Sequence, residues 1–412
     1  FDMKIKLQDA FAGCIIFLIV LNLGILNIAD LTTLYRYFTS VLALILGVGC
    51  LCSARVYSKI KKYCHFMNVW LVILFVFLFI EVFYGWSVGA NSLVQNLSYV
   101  YIYFWLFLFY PIIYILVCNN GKKRLIYAIC GWTIVALLLK TMVWLLYNYL
   151  HKDVMHYLLF EFGSEWIRNG FQRIPATCFS GVLVCGMLYA FYNSTKVQIK
   201  ILAIVIILFN MWYALTVFAS RAQVICLVFG ISVAILLRRN MGIKKVITYL
   251  VFIIVAAVGM STAYFNEFVR GMSLTTYSMG MRVKEMIYYS DLIKGHWIMG
   301  FLYVFSTEKI HGPVGTYYLS DLGLFSKLFE TGIIGMIIHL LPFGRMLQLC
   351  RKYMKKKNKE FVFAVALMVY TISVSFLSND IYNFRLLFGF PFILAYYESL
   401  RNPKLKVSEE NA

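Results

Sequence analysis

The sequence predicts an all-α fold, a polytopic membrane helical bundle of about twelve transmembrane helices. Of its 412 residues, 62% are hydrophobic and 14% are charged, whereas soluble domains are roughly half apolar and a quarter charged. About twelve apolar runs are long enough to cross a hydrocarbon core of roughly 30 Å. Lys and Arg residues gather in the short segments between alternate runs, which is typical of inner-membrane proteins.

The apolar runs give the predicted order of the spans. The first run is expected to be a retained span, because no small-residue cleavage site follows it. Three of the later runs, 35–53, 222–237 and 386–400, could be shifted, kinked or paired as hairpins. The full set lies near 11–28, 35–53, 67–86, 98–118, 125–147, 176–192, 201–219, 222–237, 246–265, 322–341, 361–378 and 386–400.

The basic residues predict the orientation. Cytoplasmic loops carry an excess of Lys and Arg, and the seven segments that share one side hold 25 of the 38 such residues. We therefore expect both termini in the cytoplasm and the protein in the bacterial inner (cytoplasmic) membrane. These segments are 1–10, 54–65, 119–124, 193–200, 238–245, 342–360 and 401–412.

The remaining composition excludes several classes of function. The net charge of +20 is spread over loops that would face anionic membrane lipid, so nucleic acid is not an expected partner. The ten cysteines lie in or beside the predicted spans and form no CxxC pattern, so no metal site is predicted. The absence of a G-x-x-x-x-G-K-[ST] loop disfavours an ATP-driven pump. No cofactor is expected.

Two long loops interrupt the otherwise minimal connections of this single transmembrane domain. They span 148–175 and 266–321 and are predicted to lie on the outer side of the membrane. Long loops in polytopic proteins commonly carry function. Their arginines, including Arg173 and Arg282, run against the positive-inside bias.

Arginine is the side chain that binds phosphate oxygens bidentately and stays charged. A lipid diphosphate at the outer leaflet would account for these arginines, and the alternative is snorkelling or contact with headgroups. Arg221 is harder to explain by snorkelling. It lies in a tight outer hairpin, Phe218–Gln223, where two apolar spans meet, and a charge near hydrocarbon is a functional candidate.

Other polar residues in or near the spans have two interpretations each. Lys140 and Glu81 lie within predicted spans, where they could line a polar cavity or form buried pairs that lock helices together. Arg385 follows Asp380 in an outer turn that suits sugar binding, and the alternative is an Asp380–Arg385 ion pair. His311 lies in the second long loop.

A linked series of motifs resembles a known family. Ser220-Arg221-Ala222 is similar to a Ser-Arg-Gly element between two spans, and a long outer loop follows after one further span. Within that loop, Arg282 and Ile298-Met299-Gly300-Phe301 resemble an Arg followed by a Pro-Leu-Leu-Gly-x-Gly turn. These elements are typical of the O-antigen polymerase and O-antigen ligase superfamily of bacterial envelope glycosyltransferases, which have a GT-C-like membrane fold.

The same family has a further element at the start of the next span. There, residues 321–325 and Glu330-Thr331-Gly332 with Gly335 resemble its His-Asn-x-x-Leu and Glu-x-Gly-x-x-Gly. Asp321 stands where ligases carry a histidine, which is a departure from the ligase pattern and matches polymerase relatives with Ser-Asp-x-Gly.

The resemblance implies a metal-independent, inverting sugar transfer at the outer face. The donor is an oligosaccharide repeat linked to undecaprenyl pyrophosphate, and the 266–321 loop carries part of the active site. Arg221, Arg282 and Arg173 are expected to bind the pyrophosphate and stabilise its departure. Asp321 is the expected catalytic base or orienting group, although an N-cap of the next helix is the alternative.

Arg385, His311 and Lys140 are the candidates for binding sugar or acceptor. Expected partners are the lipid-linked oligosaccharide, membrane lipid and a chain-length regulator protein. Three functions compete: a polymerase of lipid-linked repeats, a ligase that transfers finished glycan to lipid A core, and a flippase. A flippase would show repeated halves and charges along a central cavity, whereas this chain concentrates its unusual charges on one predicted face of the membrane. The polymerase is therefore the leading prediction.

Overall fold

The chain is almost entirely helical wherever its structure is described. A computed structural model describes residues 7–25, 32–87, 92–118, 121–152, 154, 167–168, 170–237, 277–300, 310–312, 315–317, 319–355, 358–377 and 380–401. The predicted span 246–265 lies outside these residues, as do the parts 266–276, 301–309, 313–314 and 318 of the predicted loop 266–321.

The elements follow one another with short connections. The α-helices are α1 (Leu7–Asn22), α2 (Thr32–Cys52), α3 (Ala54–Ser87), α4 (Leu93–Val100), α5 (Phe109–Val117), α6 (Gly121–Asn148), α7 (Ser180–Asn193), α8 (Val197–Thr216), α9 (Arg221–Leu237), α10 (Tyr277–Leu292), α11 (Phe325–Tyr353), α12 (Phe361–Leu377) and α13 (Phe390–Ser399). Short 3-10 helices cover Tyr101–Leu108, Leu319–Leu322 and Leu387–Gly389. Two antiparallel hairpins pair β1 (Ile167–Arg168) with β2 (Phe171–Gln172) and β3 (Ile310–Gly312) with β4 (Gly315–Tyr317).

In the described part of the chain, six helical segments are long and apolar enough to cross a membrane, judged by length and composition. The predicted all-α class with long apolar helices is therefore confirmed. Four shorter apolar helices, α1, α7, α9 and α12, accompany them. The six long segments are Leu34–Cys52, Ala54–Ser87, Leu93–Val117, Gly121–Asn148, Val197–Thr216 and Phe325–Tyr353.

Two segments predicted as basic loops are helical. Helix α3 starts at Ala54 and includes the residues predicted as loop 54–65, and α11 continues to Tyr353. Lys and Arg have high helix propensity, so the end of an apolar run need not end the helix. The predicted run 98–118 is divided by a 3-10 stretch that ends just before Pro111, which lacks the N–H needed to continue the α-helical hydrogen bonds.

Antiparallel packing brings several helix ends together. The Nδ2 of Asn193, at the end of α7, donates to Lys359 O beside the start of α12 at 3.0 Å, and Gly181 at the start of α7 contacts the ring of Tyr370. The backbone N of Leu324, just before α11, donates to Ser375 O at 2.6 Å. The start of α11 therefore lies at the C-terminal end of α12 and the start of α7 lies beside its C-terminal half. This region is called here the α12 C-terminal end.

Acidic side chains pair with basic ones at the opposite end of the bundle. Lys122 Nζ at the start of α6 lies 2.5 Å from Glu360 Oε2 beside the start of α12. Arg345 Nε donates to Glu398 Oε1 at 2.7 Å, and its guanidinium lies 5.4 Å from the ring centre of Phe66. This end, called the basic end, thus gathers parts of the predicted segments 54–65, 119–124, 193–200 and 342–360.

Candidate functional site

Arg221 begins helix α9 immediately after a strained turn. Ala219 has a φ of 49°, which is unusual for a residue with a side chain, and Ser220 Oγ accepts a hydrogen bond from Gln223 N at 3.4 Å. A cation at a helix N-terminus opposes the helix dipole, so helix stability does not explain Arg221. The combination of an N-terminus and a guanidinium favours an anion.

Arg173 and Lys140 lie around the same turn. Ile174 N donates to Val217 O at 3.0 Å, which joins the segment after Arg173 to the end of α8. The buried Lys140 Nζ donates to Pro175 O at 3.2 Å in this segment. Arg173, Lys140 and Arg221, which are far apart in sequence, are therefore held around one junction.

Glu81 is not the partner of Lys140. Its side chain is fully buried in α3, and neither of its carboxylate oxygens has a hydrogen-bond partner among the described residues. Lys140 lies within α6 and Glu81 within α3, and both side chains are buried. Among the described residues, neither side chain forms the buried ion pair that was the alternative to lining a polar cavity.

Arg282 on α10 and Asp321 in the following 3-10 helix also lie near the α12 C-terminal end. Helix α10 packs Tyr289 and Ile293 against the 3-10 helix that contains Asp321. Arg282 Nη1 donates to Leu377 O at 3.2 Å, two residues from the Ser375 carbonyl that holds the start of α11. Asp321 is exposed.

Asp321 also shapes the electrostatics of its neighbour on α10. Burial raises the pKa of the Tyr289 hydroxyl well above its usual value, and the nearby charges of Glu285 and Asp321 raise it further. Tyr289 is therefore a neutral hydrogen-bonding group beside the Asp321 carboxylate.

Asp321 does not cap the following helix. The N-cap residue of α11 is Leu324, whose side chain makes no capping hydrogen bond, whereas Asp321 lies inside the 3-10 helix Leu319–Leu322. Asp321 is therefore not the N-cap residue of α11, which was the alternative to a catalytic role, because a 3-10 turn and Gly323 separate it from that helix.

Two of the glycine-containing motifs contact each other directly. Gly332 interrupts α11 with a φ of 66° and a ψ of −169°, a conformation essentially restricted to glycine. Ile333 N donates to Trp297 O at 2.8 Å, and a Cβ on Gly300 would lie 2.5 Å from Gly332 N. The turn 296–300 is thus seated in the break of α11.

A buried charge cluster lies next to this break. Lys327 Nζ lies 2.5 Å from Glu330 Oε2 and 3.4 Å from Asp380 Oδ2, and all three side chains are at least nine-tenths buried. Asp380 Oδ1 accepts from Tyr382 N at 3.0 Å. Burial raises the pKa of Asp380 from 3.8 to about 6, and Lys327 opposes that rise.

The Tyr103 hydroxyl, which accepts a hydrogen bond from Lys327 of the cluster, begins a hydrogen-bonded chain with a fixed direction. His339 Nδ1 lies 2.7 Å from Gly335 O, and its Nε2 lies 3.1 Å from the Tyr103 hydroxyl. A carbonyl can only accept, so Nδ1 carries the proton and Tyr103 donates to Nε2. The chain ends at a backbone carbonyl and ties α11 to the segment 101–108.

Lys327 and Asp380 were not among the predicted site residues. Asp380 pairs with Lys327, so the Asp380–Arg385 ion pair, which was the alternative to sugar binding, is not the pairing among the described residues. Arg385 lies 5.2 Å from the ring centre of Phe384. The usable signal was a lysine and a glutamate three residues apart at the start of an apolar run, which share one face of a helix.

His311 lies in β3, where it pairs with Thr316 across the hairpin. Within the described ranges, no group of three or more His, Cys, Asp or Glu side chains is arranged to hold a metal ion. No protein-family model matches the sequence, and no curated protein matches it either.

Proposed function

We propose that this protein is a polymerase that joins undecaprenyl-pyrophosphate-linked oligosaccharide repeats into O-antigen or capsular-type polysaccharide. In this proposal the reaction takes place at the outer face of the bacterial inner membrane. The chain crosses the bilayer about twelve times, with both termini in the cytoplasm and the α12 C-terminal end outside.

The observation that carries the proposal is the gathering of unusual ionisable residues at one end of the bundle. Lys140, Arg173, Arg221, Arg282 and Asp321 come from distant parts of the sequence, yet all lie at the α12 C-terminal end. Other cations are paired with carboxylates: Lys122 and Arg345 at the opposite end, and Lys327 in the first turn of α11. A concentration of arginines around two junctions fits a large, multiply charged anion such as a pyrophosphate.

The two arginines have complementary roles in the proposed reaction. Arg221 adds a guanidinium to the N-terminus of α9, so both charge and backbone donors favour a phosphate there. Arg282 is oriented by its bond to Leu377 O, and a guanidinium has five N–H donors. We assign both to the leaving pyrophosphate, where fixed donors stabilise charge as it develops.

Asp321 is assigned to the acceptor. The acceptor hydroxyl attacks the anomeric carbon from the face opposite the pyrophosphate, its proton passes to a base, and the C–O bond to the pyrophosphate breaks. An exposed carboxylate beside the neutral Tyr289 can accept or orient that proton. The exposed position also lets a growing glycan reach it.

Transport of the lipid-linked glycan is the competing function from another class. Buried charges inside membrane helices often mark transport or proton paths, and Lys327, Glu330 and Asp380 form such a group. The hydrogen-bonded chain that leaves this group ends at Gly335 O. A chain that ends at a carbonyl offers no onward proton acceptor, which favours a structural role and hence the polymerase.

Arginine-to-lysine substitutions test the pyrophosphate assignment. We expect Arg221→Lys and Arg282→Lys each to lower the rate of polymer formation by about a hundredfold or more, because lysine keeps the charge but cannot form a bidentate fork. The measurement is polymer formed per unit of purified protein from lipid-linked repeats.

Lys284→Arg is the matched control, because Lys284 is an exposed cation on the same helix as Arg282. It should keep the wild-type rate. Near wild-type polymerisation by both Arg221→Lys and Arg282→Lys, at normal expression, would show that neither arginine holds the pyrophosphate.

A further inference from the structure

A basic groove opens on the first turns of α3, at the basic end of the bundle. Its lining includes three lysines, one histidine and the Asn68 amide, and it contains no carboxylate. The lining residues are Tyr57, Ser58, Lys59, Lys61, Lys62, His65 and Asn68. Tyr110 donates its hydroxyl proton to Asn68 Oδ1 at 2.7 Å, which orients the amide and leaves its NH₂ as a donor.

The positive charge of this groove is not neutralised by the described part of the protein. Other cations of the same end pair with acids, as Lys122 does with Glu360 and Arg345 with Glu398. Among the described residues, no carboxylate pairs with Lys61 or Lys62, and both are exposed. An anion from outside the protein is therefore favoured here.

The exposed face of α3 changes character just beyond the groove. The same stripe that carries Lys61 and His65 continues as an unbroken row of exposed apolar side chains at helical spacing. These are Val69, Val72, Ile73, Val76, Phe79, Ile80 and Phe83. At 1.5 Å per residue the row is about 21 Å long, which exceeds one leaflet of roughly 15 Å.

We infer that this face of α3 is a binding site for an anionic phospholipid. Its phosphate headgroup contacts Lys61, Lys62 and His65, and its acyl chains lie along the apolar row. The helix therefore matches a phospholipid in two ways: its basic residues match the charge of the headgroup, and its exposed apolar row matches the acyl chains. The site lies at the basic end and is therefore separate from the residues assigned to the glycan donor.

The face of α3 opposite the proposed lipid site packs against α11. Trp70 Nε1 donates to Ile338 O of α11 at 2.9 Å, and Phe77 contacts the backbone beside Gly335. The opposite face of α3 thus holds the helix that carries Gly332 and the buried Lys327 cluster. A lipid bound to the exposed face of α3 would thus hold a helix whose buried face contacts α11.

Lipid binding to the intact protein tests this site. The delipidated full chain in neutral detergent is incubated with dioleoyl phosphatidylglycerol or phosphatidylcholine, and bound lipid is counted by native mass spectrometry. We expect tighter binding of phosphatidylglycerol and a loss of about twentyfold in Lys61→Gln/Lys62→Gln/His65→Gln, since each lysine near a lipid phosphate contributes about fivefold.

Arg351→Gln/Lys352→Gln/Lys355→Gln is the matched control, because it removes three exposed charges from the same end. It should bind phosphatidylglycerol like the wild type. If both triple variants lost the same affinity for phosphatidylglycerol, the binding would depend only on the overall positive charge of this end. That result would contradict a site on α3.

Two further ligands separate a lipid from a free phosphate. Dihexanoyl phosphatidylglycerol should bind at least about tenfold more weakly than the dioleoyl lipid, because it cannot cover the apolar row. Inorganic phosphate in excess should not displace the dioleoyl lipid. Equal affinity for both chain lengths, or displacement by phosphate, would show a phosphate site only and contradict the inference.

Discussion

Lys327 is a single buried cation that faces two buried carboxylates. The cluster with Glu330 and Asp380 carries one net negative charge when all three groups are ionised. Removing one partner of a buried pair is far more damaging than removing the excess charge. We therefore expect the loss of Lys327 to lower the free energy of unfolding much more than the loss of the Asp380 charge.

We expect Lys327→Met to destabilise the protein by about 3 kcal/mol or more, because it leaves two buried carboxylates without a cation. Asp380→Asn is the matched change, since it removes the excess charge and keeps the Lys327–Glu330 pair. It should leave the free energy of unfolding at pH 7 unchanged or raise it, because burial disfavours the ionised Asp380 that the variant removes. Thermal unfolding in detergent measures both, and equal losses would contradict the arrangement.

The pH dependence of Asp380→Asn checks the same cluster. The folded-state pKa of Asp380 lies near 6, above its ordinary 3.8, so the folded state binds this proton more tightly than the unfolded chain does. The resulting stability is present below about pH 4 and is lost as the pH rises through 6. The wild-type melting temperature should therefore fall relative to the Asn variant between pH 4.5 and pH 7.

Helix α11 joins the two glycine motifs, and its break is specified by local geometry. Gly332 has a φ of 66°, and a Cβ there would contact Ile298 O. Ile333 N donates to Trp297 O, which lies outside α11. The turn 296–300 and the start of α11 therefore depend on one another.

Gly332→Ala should destabilise the protein by about 2 kcal/mol or more, through both the strained backbone and the contact with Ile298 O. Gly344→Ala on the same helix is the control, because a Cβ there meets no atom within 4 Å. It should leave the melting temperature unchanged or slightly raised. A Gly332→Ala variant that melts with the wild type would show that the break is not required.

The elements were largely predictable from the sequence, and their ends were not. Apolar runs located most helices because hydrocarbon demands continuous backbone hydrogen bonding. They did not reveal that α3 extends from Ala54 through its basic turns, since lysine continues a helix as well as leucine does. Nor could an apolar run predict the break at Gly332, which depends on a turn some thirty residues earlier.

The candidate site was predictable to a different degree. Arg221, Arg282 and Asp321 could be identified from the sequence. Each is a charged residue next to an apolar run or in a long loop on the predicted outer side. The Lys327–Asp380 pair did not stand out, because its partners are 53 residues apart in sequence. Arg385 was a nearer partner for Asp380 along the chain, and only tertiary packing decides between them.

At the scale of the molecule, the two ends of the bundle differ in charge, and this asymmetry predicts the orientation. In a variant whose ten cysteines are replaced, Lys294→Cys near the α12 C-terminal end should react with an impermeant thiol reagent in intact spheroplasts. Lys352→Cys at the basic end should react only after lysis. Both lysines are exposed, so burial does not limit labelling, and labelling of Lys352→Cys in intact cells would reverse the orientation.

Elongation by the purified protein is the most direct measurement of the proposed reaction. The full chain in liposomes, supplied with undecaprenyl-pyrophosphate-linked repeats and EDTA, should produce a ladder of longer lipid-linked glycans without nucleotide. Asp321→Asn should fold normally and lower this rate by about two to four orders of magnitude, the usual contribution of a general base. A strict requirement for Mg²⁺, translocation of the repeats without lengthening, or full activity of Asp321→Asn would each contradict the account.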